Sequence, residues 1–210
     1  KTLQSIQELT PHDLSTISYY NFVVTKFAGQ KNIIVSNTGY TGCGGFEIYC
    51  KNHQLIEIWD KIMLVGKNCN IKPIGLAARD TLRLEMGFCL YGNELSDNIT
   101  PIEAGLTWIT KFSKKFNGYN ILKEQKENGV KKKLIGFELI EKGIPRKDYE
   151  IYDEDQVKIG RVTSGTMSPS LGKAIGLGFV DNSYAKTNTI IYINIRNNLI
   201  KALIIKPPFK

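Results

Sequence analysis

Histidine is scarce in this sequence: His12 and His53 are the only two among 210 residues, and they lie far apart along the chain. The four cysteines include no pair with C-x-x-C spacing, and none of them sits in a cluster typical of zinc or iron–sulfur ligands. The sequence therefore predicts no metal site. Since nothing in the cysteine pattern indicates a disulfide framework, we expect a reducing, cytoplasmic setting.

Long apolar runs are also missing, and no stretch approaches the roughly 18 residues that a membrane-spanning helix needs. We therefore expect no membrane association. The first residue is Lys1 rather than Met, and an amphipathic pattern with Leu3 and Ile6 is already under way there. We expect from this that the chain begins inside a longer protein.

Arginine is rare although the net charge is +8. Lysine supplies nearly all of the positive charge and is spread along the chain, with one triple at residues 131–133. Nucleic-acid binding would need a clustered basic stripe with interleaved aromatic residues or a known module, so we expect no nucleic-acid partner. A mildly basic surface suits an acidic protein partner or an anionic small molecule better.

The stretch from Pro73 to Gly105 carries two of the few arginines. Good helix formers predict a helix that begins near Pro73 and ends at Gly87. Asp80 lies three residues before Arg83 and is its natural partner, which leaves Arg79 to bind something else. The alternative is an ordinary half-buried helix with a surface ion pair.

A glycine-rich loop at residues 37–45 follows a predicted hairpin, whose strands we place at residues 19–24 and 32–36. Four glycines in seven residues indicate positive φ angles or close approach to another group. The next strand, residues 46–50, alternates so that Glu47 and Tyr49 share one face. Glu47 is a candidate acceptor for the donors of a ligand ring, and the alternative is a solvent-facing strand residue.

Short strands separated by turns fill the chain from residue 133 onward and predict a small antiparallel barrel or sandwich. We place them at residues 134–139, 150–152, 157–162, 174–180, 189–195 and 199–205. The hydroxyl-rich stretch at residues 163–173 reads as a long loop, either an inert tip or a segment that packs at the site of the first domain. A polar stretch at residues 119–132 reads as an exposed helix and linker.

Several ordered motifs together resemble the aminomethyltransferase (T-protein) family of the glycine cleavage system. They are GYTGxxGFEI at residues 39–48, GLAARDTLRLE at residues 75–85, LYG at residues 90–92, TPxEAGL at residues 100–106, GIPR at residues 143–146, VTSGTxSP at residues 162–169 and KPPF at residues 206–209. The resemblance implies part of an α+β folate-binding domain at residues 1–118, a linker at 119–132 and a C-terminal antiparallel β-barrel domain at 133–210.

The resemblance also implies a reaction. Members of this family transfer a one-carbon unit from the aminomethylated lipoyl arm of the H-protein to tetrahydrofolate and release ammonia. By motif position, Glu47 should bind the edge of the pterin ring, Arg79 should reach the folate and Tyr40 should form a wall. Either Tyr19 or Tyr20 should stack on the ligand, and we assign Tyr20. No metal is implied.

The chain departs from the family in two places that matter. Cys43 stands where the family usually has an acidic residue, and Gly44 where it has an acidic or polar one, so the resemblance implies no second carboxylate in this loop. The family also has a substantial portion before this chain begins, and that portion supplies the key aspartate. We therefore expect no catalytic residue in this chain, and we expect the chain alone to be inactive.

Two related functions remain as alternatives on the same scaffold. One is a folate-binding tRNA-modification factor, whose cysteine-containing signature is missing here. The other is the folate domain of a sarcosine- or dimethylglycine-oxidising enzyme.

Overall fold

The computed structural model describes residues 2–210, which form two compact units. The first unit extends to Arg79 and the second comprises Asp80–Lys210. Each unit has its own buried apolar cluster, as expected for separate cores.

A three-stranded antiparallel sheet forms the centre of the first unit. Its strands are β1 (Phe22–Phe27), β2 (Gln30–Ser36) and β3 (Glu47–Tyr49), in the spatial order β1-β2-β3. One face of the sheet is buried and contributes Phe27, Ile33 and Val35 to the core. Because side chains alternate along a strand, the opposite face carries Glu47 and its cross-strand partner Ser36.

Helices cover the buried face of this sheet. The helix α1 (Thr2–Ile6) contributes Ile6 to the core, and α2 (Leu55–Val65) contributes Ile58. The helix α3 (Leu76–Glu85) contains the division between the two units. Single 3₁₀ turns lie at Gln7–Leu9, Leu14–Thr16, Asn52–Gln54, Gly66–Cys69 and Asn182–Tyr184.

A closed antiparallel barrel of six strands dominates the second unit. The strands are β4 (Lys132–Leu139), β5 (Glu150–Tyr152), β6 (Lys158–Ser168), β7 (Lys173–Asp181), β8 (Ile190–Ile195) and β9 (Asn198–Ile205). Their order is β4-β7-β6-β5-β8-β9, and β9 pairs back onto β4. Alternating Ile, Val, Leu and Phe side chains fill the interior, where Phe137, Ile151 and Ile193 are fully buried.

The segment before the barrel and the last residues complete the second unit. The helix α4 (Tyr119–Asn128) precedes β4. Phe209 packs against a small apolar cluster formed by Leu84, Ile175 and Leu177. Pro207 lies so close to Gly87 that a Cβ at Gly87 would be 2.3 Å from the Pro207 Cβ. The end of α3 is thus packed against the C-terminal residues.

The fold class expected from the sequence is confirmed: an α+β portion is followed by an antiparallel barrel. Of the two architectures that the strand pattern left open, the closed barrel is the correct one. The strands predicted from residue 133 onward all exist, and apart from the end of β6 their bounds lie within two residues of the predicted ones.

Two local predictions are wrong. The first strand begins at Phe22 instead of Tyr19, because Tyr20 has a φ of 64° and its backbone N–H donates to the Asn37 carbonyl in a turn. The predicted loop at 163–173 is mostly strand, since β6 continues to Ser168 and β7 begins at Lys173. The hydroxyl groups of Ser164, Ser168 and Ser170 form hydrogen bonds inside the fold, as described below.

The predicted linker at residues 119–132 contains the helix α4 and the first residue of β4. Where the domain boundary lies remains a prediction. Within the described part of the chain, no helix combines the length and the apolarity needed to cross a membrane.

Candidate functional site

A pocket lies in the first unit where the glycine-rich loop, the start of β3 and helix α3 meet. Its volume is about 230 Å³, and its walls are residues 38–41 and 43–47 together with Arg79. We call it the glycine-loop pocket. Three of the four binding residues expected from the sequence line it: Tyr40, Glu47 and Arg79.

Glu47 presents a carboxylate to this pocket from the first position of β3. Its Oε2 accepts one short hydrogen bond from the Thr38 hydroxyl and a longer one, 3.4 Å, from the Tyr49 hydroxyl. Phe46, Ile48 and Cys50 point the opposite way and pack on the core, as the alternation predicts. Among residues 2–210, nothing donates a hydrogen bond to Oε1, so this oxygen can accept a donor from a ligand.

Arg79 reaches the pocket from helix α3 and lies over an aromatic ring. Its guanidinium carbon is 4.7 Å from the centroid of the Tyr40 ring, which is cation–π geometry. Asp80, the next residue, pairs instead with Arg83 at 2.7 Å, which confirms the local pair predicted from the sequence. Within the described residues, no carboxylate lies within ion-pair distance of Arg79, so its fork of donors is available to an anionic group.

The pocket thus contains one carboxylate and one guanidinium that are not paired with each other in the part of the chain that the structure describes. Tyr40 supplies an aromatic face next to them. This combination suits a flat ligand that carries N–H donors at one edge and negative charge elsewhere.

The glycines of the loop do not all have the positive φ angle or the close approach that their density in the sequence indicated. Only Gly42 has a positive φ, 70°. A Cβ added at Gly44 or Gly45 would meet no atom within 4 Å, and one at Gly39 would just touch the Cys43 carbonyl at 4.0 Å. Three of the four glycines are therefore not required by backbone strain or close approach, and two of them leave open space beside the pocket.

Tyr20, the fourth expected binding residue, does not line the glycine-loop pocket. It is 73% exposed, and its ring lies 4.3 Å from that of Tyr19. Its backbone bond to Asn37 places it at the beginning of the glycine-rich loop. The structure therefore brings three of the four residues together and leaves Tyr20 outside the pocket walls.

Cys43 lines the pocket and is exposed as a free thiol. In the described residues, no three His, Cys, Asp or Glu side chains come together in a way that could hold a metal ion.

A second cluster of charge is buried in the second unit around Arg83. This side chain is fully buried and donates to Glu94 Oε2 at 2.9 Å, to the Ser164 hydroxyl at 2.7 Å and to the Phe88 carbonyl at 3.0 Å. Ser164 in turn donates to Glu94 Oε1 at 2.6 Å. The cluster ties the end of α3 to the barrel strand β6.

Glu85 forms a similar buried centre two residues further along. Its carboxylate accepts bonds from Ser168 at 2.5 Å, Ser170 at 3.1 Å and Lys210 at 3.1 Å. Burial raises the pKa of the Glu85 carboxyl, but the bonds from Ser168, Lys210 and Ser170 outweigh it, and the pKa lies below the usual value.

Sequence reasoning missed both clusters. The sequence patterns pair Arg83 only with Asp80, place Ser164 and Ser168 in a loop, and give Glu94 no role. A buried charge needs partners, and an Arg and a Glu within one apolar helix could have prompted a search for them. The partners of Arg83 and Glu85 could not be identified from the neighbouring sequence, because Ser164 lies 81 residues from Arg83 and Ser168 lies 83 residues from Glu85.

Two family models match the chain. Residues 1–114 match the GCVT N-terminal domain, and residues 132–210 match the glycine cleavage T-protein C-terminal barrel domain. Together they account for nearly all of the sequence.

Individual proteins agree with these models. The chain is 55% identical over 209 residues to an aminomethyltransferase of Flavobacterium psychrophilum and 51% identical over 211 residues to one of Thermoanaerobacter pseudethanolicus. All of the chain aligns with each, but it spans only 58% and 57% of their lengths. A crystal structure of glycine cleavage system aminomethyltransferase T from Bartonella henselae superposes with a TM-score of 0.88 at 26% identity, covering 99% of this chain and 56% of that one.

Proposed function

We propose, from the premise that this chain belongs to the glycine cleavage T-protein family, that the natural protein containing it is an aminomethyltransferase. The activity is proposed for the whole protein, because the chain spans less than two thirds of the relatives' length. The reaction takes the aminomethyl group from the sulfur of a dihydrolipoyl arm on the H-protein. It joins the carbon to two nitrogens of tetrahydrofolate and releases ammonia and the free thiol.

One observation supports this proposal more than any other: Tyr40, Glu47 and Arg79 line a single pocket. A reduced pterin ring presents adjacent N–H donors at one edge, and a carboxylate such as that of Glu47 can accept two of them in charge-assisted bonds. The guanidinium of Arg79 can donate to an acceptor oxygen of the same ligand. Tyr40 offers a face against which a flat ring or the benzoyl group can pack.

The size of the pocket fits part of the ligand. Sites for whole drug-sized ligands occupy roughly 300–1,000 Å³. The glycine-loop pocket, at about 230 Å³, is smaller and would hold a two-ring system while the rest of the folate extends outward. We therefore assign this pocket to the ring end of tetrahydrofolate.

The residues of this chain are assigned to binding rather than to bond making. Glu47 and Arg79 would orient the ligand so that its nitrogens face the incoming carbon, and positioning of this kind can supply much of the rate enhancement. Tyr20 is kept as a residue that would stack on a part of the ligand outside the pocket walls. No metal takes part, no catalytic residue is assigned in this chain, and the protein partner is the lipoylated H-protein in a cytoplasmic setting.

The test is a reconstituted assay on the natural full-length protein. With tetrahydrofolate and aminomethyl-loaded H-protein, ammonia and methylenetetrahydrofolate should form in equal amounts. H-protein that lacks lipoate is the matched control and should give neither product. Product formation from free sarcosine instead would contradict the proposal and favour a sarcosine-oxidising relative.

A further inference from the structure

The Glu47 carboxylate lies next to the hydroxyl groups of Ser36 and Thr38, and neither of these residues has yet been given a role in the site. Ser36 and Glu47 lie directly opposite each other on β2 and β3, so their side chains share one face of the sheet. Thr38 comes two residues after Ser36, just past the end of β2. Its hydroxyl lies 3.0 Å from the Ser36 hydroxyl and contacts Glu47 Oε2 at a shorter distance.

The number of hydroxyl protons determines which group donates in each of these contacts. The Thr38 hydroxyl has a single proton, and a carboxylate is a stronger acceptor than a hydroxyl. Thr38 therefore donates its proton to Glu47. The Ser36 side chain, 8% exposed, donates instead to the Asn21 carbonyl at 3.5 Å.

The hydrogen bond from Thr38 fixes one carboxylate oxygen of Glu47 and leaves the other available. A glutamate side chain is long, and ordering it when a ligand binds costs conformational entropy. With Oε2 held by Thr38, the plane of the carboxylate is set before the ligand arrives, and Oε1 accepts nothing from the described residues. A side chain that is ordered in advance binds its ligand more tightly.

We propose that Thr38 is a positioning residue of the ring site, which holds the Glu47 carboxylate in the orientation that accepts the ligand's N–H donors. The inference rests on the proposed function, because it takes tetrahydrofolate as the ligand. Tyr49 also reaches Oε2, but at 3.4 Å and from a side chain that is 54% exposed. Tyr49 therefore contributes less than Thr38 to holding the Glu47 carboxylate in place.

The experiment is a double-mutant cycle on tetrahydrofolate binding by the natural full-length protein, measured anaerobically by titration. Thr38→Val removes the hydroxyl and keeps the shape, and it should raise Kd about tenfold, the upper end of the cost of immobilising one side chain. Thr38→Ser keeps the donor and should stay within about twofold of the wild type. In a Glu47→Ala background, Thr38→Val should change Kd by less than about twofold, because the group that it positions is gone.

Two further variants serve as controls. Thr25→Val makes the same change on β1, outside the pocket walls, and should leave Kd unchanged. Tyr49→Phe should raise Kd less than Thr38→Val does. Thermal unfolding of each variant shows whether it is folded, and Thr38→Ala replaces Thr38→Val in the cycle if the latter does not fold.

The outcomes separate the inference from the proposed function. If Glu47→Ala weakens binding but Thr38→Val does not, the role of Thr38 is wrong and the proposed site stands. An equal loss on Thr38→Val in both backgrounds would show that Thr38 acts through the fold alone. If Glu47→Ala binds tetrahydrofolate as the wild type does, both the ring site and the role of Thr38 are overturned.

Discussion

The guanidinium of Arg83 and the carboxylate of Glu94 form an ion pair of 2.9 Å in which both side chains are completely buried. Two charges without access to water are tolerated only when hydrogen bonds satisfy their remaining donors and acceptors. Here Ser164 bonds to both members, and the backbone N–H of Leu90 donates to Glu94 at 2.9 Å. The pair therefore joins helix α3, the segment after it and strand β6.

Removing one member of this pair should strongly destabilise the second unit. Glu94→Ala leaves the Arg83 charge buried without its main partner, which typically costs about 3–5 kcal/mol. Glu127→Ala is the matched control, because it breaks an exposed Lys123–Glu127 pair of 3.9 Å and should leave stability unchanged. Urea unfolding followed by circular dichroism checks both, and a Glu94→Ala midpoint equal to that of the wild type would contradict the prediction.

Glu85 should make stability depend on pH in the acid range. The pKa of its carboxyl is lower in the folded protein than its usual value of 4.5, since the bonds from Ser168, Lys210 and Ser170 outweigh burial. A carboxyl of this kind stabilises the fold above its unfolded-state pKa, and the contribution is lost as the pH falls through the folded-state pKa.

The measurement is the unfolding free energy of wild type and Glu85→Gln between about pH 6 and pH 3. The wild type should be the more stable of the two at the upper end, and the gap should narrow as the pH falls. Glu127→Gln, at an exposed position, should give a parallel curve. A gap that stays constant over the whole range would show that Glu85 does not titrate as its contacts indicate.

Substitution by alanine should lower the stability of the protein at one glycine and leave it almost unchanged at another. A Cβ at Gly160 would be 2.1 Å from the Phe179 carbonyl oxygen, which belongs to the paired strand and cannot move aside. Overpacking of this kind costs about 1–3 kcal/mol or more. Gly44 has no positive φ and no neighbour within 4 Å, so Gly44→Ala should stay within about 0.5 kcal/mol of the wild type. Thermal unfolding of the two variants measures the change in stability. A Gly44→Ala protein as unstable as Gly160→Ala would contradict the prediction.

The barrel could be predicted from the sequence because its strands alternate apolar and other residues between clear turns. The end of strand β6 could not be predicted from the sequence, and the reason is physical. Thr163, Ser164 and Ser168 resemble loop residues, and a β-bulge between Val162 and Ser164 breaks the alternation there. The buried positions of Ser164 and Ser168 depend on Arg83, Glu94 and Glu85, which lie 70 to 83 residues earlier.

The glycine-loop pocket shows the same limit on a smaller scale. Strand alternation predicted which face carries Glu47, and the pairing of Asp80 with Arg83 predicted that Arg79 would be left for another contact. Neither pattern could indicate that Arg79 lies over Tyr40, because that contact joins a loop to a helix almost 40 residues later. Tyr20 was placed in a strand by its aromatic character, whereas the turn at Asn37 determines its backbone.

Arg79 should matter for ligand binding and little for stability. Its side chain is exposed, and its one cation–π contact at an exposed site is weak. Arg79→Ala in the natural full-length protein should raise the Kd for tetrahydrofolate about tenfold, as expected for a lost charged hydrogen bond. Arg161→Ala, on the exposed Arg161–Asp148 pair of the barrel, is the control and should bind normally. Unchanged binding by Arg79→Ala would remove this residue from the site.

The cysteines should differ in their reaction with iodoacetamide. Burial, reinforced by the nearby Glu94 charge, raises the pKa of the Cys89 thiol to about 11. At about pH 8 only roughly one Cys89 in a thousand is then a thiolate, the form that reacts. Cys43 is exposed and should be alkylated first, as peptide mass spectrometry can show. Equal rates at the two positions would contradict the prediction.

Tetrahydrofolate should protect Cys43 from the same reagent, because Cys43 lines the pocket that we assign to the ring end of the ligand. Cys69 lies outside the pocket walls and is the internal control, whose rate should not change in the natural full-length protein. Protection should disappear in Glu47→Ala, where the ligand no longer binds at that concentration. If saturating tetrahydrofolate leaves the alkylation rate of Cys43 unaltered while binding is shown independently, the ligand occupies another part of the protein.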